Sequence, residues 1–153
     1  MFNDSIKLTG ELKLTLTNGE GNVTQEVIVP NTVVTVGKNF IAGRMKDTGG
    51  GYTIPVQMSH MELGTGTTGA AAGNTTLETI ISGSRTALTS TTVTANAVAY
   101  VVTFPAGTGT GAVTEAGILN ASSGGTMLCR TTFSVINKAA ADTLGITWTI
   151  TVN

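Results

Sequence analysis

The chain has 153 residues, 41% of them hydrophobic and only 11% charged, with a formal net charge of −1, 20 glycines, one cysteine and one histidine. Without a basic cluster it has nothing to neutralise a phosphate backbone or an anionic lipid surface, so neither nucleic acid nor membrane is expected as a partner. The 30 threonines take the surface that lysine and glutamate usually solvate; with turn-forming glycine they describe an all-β chain, read as one domain over 1–153.

Residues 1–5 precede the first periodic segment and read as an arm that orders on a partner. From 6 to 17 the even positions are Ile6, Leu8, Gly10, Leu12, Leu14 and Leu16, and the odd positions are polar. That period of two predicts a half-buried strand. Residues 18–22 carry turn chemistry, and 23–29 close a hairpin that Pro30 ends. Residues 31–36 read as a short strand. One short helix is expected over 37–46, with Phe40, Ile41 and Met45 on one face. Residues 47–51 contain three consecutive glycines and read as a flexible loop.

The next strand is expected over 56–63, then a loop over 64–74 and a helical turn at 75–81. Residues 85–94 and 97–104 flank Ala95 and Asn96 as a hairpin, 105–111 form a loop, and 112–119 and 126–135 are strands. The last strand, 144–152, buries Leu144, Ile146, Trp148, Ile150 and Val152 and turns its threonines outward. About eight short strands separated by glycine-rich turns make a single antiparallel β-sandwich, jelly-roll-like, with one short helix. Cys129 has no partner for an intrachain disulfide and reads as a buried free thiol. The first residues, with Asp4 and no apolar stretch, do not read as a signal peptide, so none is expected, and no run approaches the roughly 18 residues of a membrane span.

Candidate chemistry is sparse. Gly64-Thr65-Gly66-Thr67-Thr68-Gly69 is a literal GxGxxG after a predicted strand, but Ala70 to Asn74 opens no helix and no acid follows at the required distance, so it reads as a surface loop. Gly107 to Gly111 repeats the composition without the lysine of a phosphate loop. His60 and Glu62 share a strand face, yet one histidine and one cysteine cannot build a zinc site, and no serine stands in a nucleophile elbow. The scattered acids Glu62, Glu78 and Glu115 would be the test positions for a glycan-cleaving site. Glu115 lies among apolar residues and calls for a partner, Arg130 or Arg85, in a pair that sets strand register. No catalytic, cofactor-binding or metal-ligating residue is assigned, and no cofactor is expected.

The segments NTVVTVGKNFIAGRM, MSHMELGTGTTGAAAGNTTLET, VAYVVTFPAGTGTGAVTEAGILNASSGGTMLCRTTF and DTLGITWTITVN, read in order, resemble a family of small tailed-bacteriophage virion proteins, frequent in cyanophage-like genomes. The most specific parts are FPAG, EAGI, GGTMLCRT and TWTI, and none is a catalytic signature. The resemblance implies a non-enzymatic, β-structured virion component made in the host cytoplasm. A capsid decoration or cement protein, bound to the major capsid protein as a homo-oligomer, commonly a trimer, is the first expectation. A tail-fibre or receptor-binding tail-tip protein is the alternative; the chain has no heptads, no shaft and few aromatics. A host β-sandwich binding module is a further reading.

Overall fold

A computed structural model describes residues 5–46 and 49–153. Most of the arm over 1–5, and the first two residues of the glycine loop over 47–51, lie outside the described residues. The elements in chain order are β1 (Leu8–Thr17), β2 (Val23–Pro30), β3 (Thr32–Val33), α1 (Thr35–Met45), β4 (His60–Gly64), β5 (Thr86–Ala87), β6 (Ser90–Thr94), β7 (Ala97–Phe104), β8 (Gly111–Leu119), β9 (Met127–Lys138) and β10 (Thr143–Val152). They form two antiparallel sheets: sheet A in the order β2-β1-β10-β7-β6 and sheet B in the order β3-β9-β8-β4-β5. The chain is an all-β antiparallel sandwich with one short helix. No described helix is long and apolar enough to cross a membrane.

The period of two places the core between the sheets. Leu12, Leu14 and Leu16 of β1 and Leu144, Ile146, Trp148 and Ile150 of β10 pack with Met61 and Leu63 of β4, Ala116 and Ile118 of β8 and Ile136 of β9. Each large side chain buried there contributes about 1.5–3 kcal/mol before conformational entropy. Cys129 lies in the same core as a free, fully buried thiol.

The differences from the sequence expectations have local causes. Ile6 and Val152, expected inside, are 74% and 43% exposed, because they lie at an end of sheet A. The strand expected over 56–63 starts only at His60, whose register partner Leu119 is the last residue of β8; the Ser59 amide still donates to Leu119 O, and 56–58 have no ladder to join. The strand expected over 85–94 is broken because the chain changes sheets: the Leu88 amide donates to Ser59 O and the Thr89 amide to Val101 O. The helix begins at Thr35, earlier than expected, after Val34 donates to Leu128 O and the Thr35 amide donates to Ala72 O. No helical turn forms at 75–81. The amides of Glu78 and Thr79 are drawn to the Glu115 carboxylate, and Ile80 bridges to Gly64.

Candidate functional site

The two outer faces of the sandwich differ in kind. Sheet B is covered. Leu77, from the segment after β4, joins Val34, Leu119 and Met127 in a small second core on that face. Beside it, Glu115 of β8 is fully buried. Its Oε1 accepts from the amides of Gly66 at 3.0 Å and Thr79 at 2.7 Å. Its Oε2 accepts from the Glu78 amide at 3.0 Å and from Arg130 Nε at 2.8 Å. All four bonds reach one ionised group from three chain segments, so the carboxylate pins the segment over 65–79 onto the sheet.

Arg130 continues the network outward. Its Nη1 donates to Asn74 Oδ1 at 3.1 Å, and its Nη2 lies 3.5 Å from Glu78 Oε2. Glu78 is 40% exposed and accepts from the Thr68 amide and hydroxyl at 2.8 and 2.7 Å. Those Thr68 bonds, with the Arg130 charge behind them, hold the Glu78 carboxyl below the ordinary carboxylate range. The carboxylate stays ionised, which suits holding the loop and does not suit a general acid.

The glycine motif therefore cradles the chain's own carboxylate. A Cβ at Gly64 would run into Glu115 Oε1 and the Thr79 carbonyl, and one at Gly66 would stand 2.5 Å from both Glu115 Oε1 and Glu78 Cβ. Gly64 and Gly66 are buried while Thr65 and Thr67 to Gly69 are exposed, which corrects the surface-loop reading for the first half of the motif. Backbone donors converging on an anion are the physical basis of a phosphate loop; here the anion is internal.

The other candidates fall into separate pairs. Glu62 binds Arg85 at 2.8 Å, and Arg85 also donates to Ala121 O at 2.8 Å. His60, two residues away, has its Nδ1 2.8 Å from Ser59 Oγ. The structure brings Glu78 and Glu115 together through Arg130 and leaves Glu62 outside that group. Of the partners expected for Glu115, it selects Arg130. Among the described residues, no group of three or more His, Cys, Asp and Glu is placed to hold a metal ion. Sequence reasoning missed Asn74, Thr68 and Lys138. Lys138 is buried, and its Nζ donates to Pro105 O at 3.0 Å and to Asp142 O at 2.6 Å, tying the 105–111 loop to the turn before β10. Its position two residues after Ile136, on the inward side of β9, was the available signal.

Sheet A is open. Along β1 and β10 the outward pairs are Thr9 with Thr151, Glu11 with Thr149, Lys13 with Thr147, Thr15 with Gly145 and Thr17 with Thr143. Ala97, Ala99, Val101 and Thr103 continue the face across β7. This face is short-chained, rich in hydroxyls and sparing in charge. No family model matches the chain, and neither a curated protein nor a solved structure is significantly similar to it.

Proposed function

We propose that this chain is a non-enzymatic structural protein of a tailed-bacteriophage virion, a decoration or cement protein that binds the major capsid protein as a homo-oligomer, in trimers. The observation that carries this reading is the asymmetry of the sandwich. One outer face is tied down by buried charge, and the other presents rows of threonine and small side chains with few long ones to immobilise. Such a surface makes many hydrogen bonds at low side-chain entropy cost, which suits repetitive contact with a protein shell. The resemblance of the FPAG, EAGI, GGTMLCRT and TWTI segments supports the virion setting.

The test is to mix purified protein with expanded capsids that lack it, and to measure bound copy number and particle melting. Binding in hundreds of copies with a raised melting temperature is expected, because a ligand of the assembled state stabilises that state. Thr149→Lys and Thr147→Lys on the open face should abolish binding without unfolding the protein. Absence from capsids, with a handful of copies on purified tails, would overturn the cement reading in favour of a tail-tip component.

A further inference from the structure

Strand β6 forms one edge of sheet A, and all five of its residues, Ser90 to Thr94, are exposed. An edge strand presents unpaired backbone donors and acceptors, and proteins usually guard it with charge, proline or brevity. The other edges carry such guards: β2 bears Glu26 and ends in Pro30, while β3 and β5 have two residues each. The Ser-Thr-Thr-Val-Thr of β6 has no charge and no proline.

A groove of about 370 Å³ opens beneath this edge. Thr91 and Val93 of β6, Val98 and Tyr100 of β7, and Phe40 and Met58 line it. Val93 is 70% exposed. Arg44 of α1 also lines the groove; its Nη1 donates to Pro55 O at 3.0 Å, and among the described residues no carboxylate forms an ion pair with it.

We infer that β6 accepts an extended peptide segment of a partner protein as an added antiparallel strand. The partner's alternate aliphatic side chains enter the groove, and an acidic residue meets Arg44. The backbone edge selects an extended chain, the period of two aims every second side chain at the row begun by Thr91 and Val93, and the guanidinium selects a carboxylate. A second copy of this chain is the weaker fit, because β6 offers no acid to meet Arg44. The inference is independent of the capsid reading.

The test uses the full chain labelled with nitrogen-15 and a capped seven-residue peptide alternating valine with threonine around one central aspartate. Amide shifts confined to Ser90–Thr94 and the groove are expected at about millimolar peptide. The asparagine counterpart should bind about two- to five-fold more weakly, a difference lost in Arg44→Gln. Val93→Lys, an inward charge at an exposed position, should abolish binding with the far-ultraviolet dichroism retained. If that variant fails to fold, the Arg44→Gln comparison stands alone, since Arg44 is exposed. Shifts elsewhere, no shifts, or equal binding of the two peptides would overturn the inference. Concentration-dependent pairing of the free protein through β6 would overturn it in favour of a second copy.

Discussion

Arg130 reaches Glu115 on the diagonal between neighbouring strands: its own register partner on β8 is Gly117, and Glu115 stands opposite Thr132. With no side chain at Gly117, the guanidinium has room to lie across the sheet and bring Nε to within 2.8 Å of Glu115 Oε2. Both side chains are at most 2% exposed. Removing Arg130 leaves the Glu115 carboxylate without a cation, and removing Glu115 leaves the guanidinium only Glu78 and Asn74.

Glu115→Ala should therefore cost about 3–5 kcal/mol, because it leaves three amide donors without an acceptor and the buried guanidinium with only its longer contact to Glu78 and its bond to Asn74. Arg130→Met should be of similar size. In a double-mutant cycle with Glu115→Leu the pair should couple by about 1–3 kcal/mol. Chemical denaturation followed by the emission of Trp148, the single tryptophan and fully buried, measures all three. Additive losses would show that the pair does not act as a unit.

Within the glycine motif, two substitutions of equal size should part company. Gly66→Ala places a methyl 2.5 Å from Glu115 Oε1 and should destabilise by about 1–3 kcal/mol. Gly69→Ala meets nothing within 4 Å and should stay within about 0.5 kcal/mol of the parent. Melting curves of the two variants decide the matter, and an equal effect would remove the steric account of the motif.

Acid should loosen the strap at Glu78. Its carboxyl is held below the ordinary value of 4.5, first by the Thr68 hydroxyl and amide. A folded-state value below the unfolded one means that the stabilisation is complete above the ordinary range and is lost as pH falls through the folded value. Carbon-13 titration should show the Glu78 carboxyl moving back up in Thr68→Ala. Glu78→Gln should flatten that part of the stability profile, and an unchanged profile would count against the strap.

Burial raises the Cys129 thiol well above its usual value, so in the native state it offers neither access nor thiolate. A disulfide reagent should leave it unlabelled in buffer. With added denaturant, labelling should accelerate in step with the loss of Trp148 emission. Prompt labelling of the native protein would mean that the core around β9 opens locally.

The strands β1 and β10 were legible because one face of each is buried, which makes every second residue apolar. Glu115 was legible for the complementary reason: a charge set in an apolar alternation must find a partner. The segment over 65–81 has no period at all. Its path is set by donors converging on one carboxylate some 36 to 49 positions later in the chain, and no local pattern records that. The GxGxxG pattern did carry the correct physics, backbone amides around an anion, but its source lay in another strand. Lys138 was missed because the strand was expected to end at 135, three residues before it, whereas β9 runs to Lys138. The change of sheet at Leu88 and Thr89 was hidden for a related reason: both neighbouring stretches have β-forming residues, and only the ladder partners distinguish them.

The central ladder of sheet A joins Leu8 to Val152 and Thr17 to Thr143. During synthesis β1 therefore waits, with Leu12, Leu14 and Leu16 paired only to the β2 hairpin, until Thr143–Val152 has been made. Sheet B contains no residue beyond Lys138, so it can close while sheet A is still two separate hairpins, β1-β2 and β6-β7. The arrival of β10 between them is the event that turns a half-covered sheet into a sandwich. A ribosome stalled before Thr143 would hold a chain whose leucine-rich first strand is a ready partner for its neighbours on the same message.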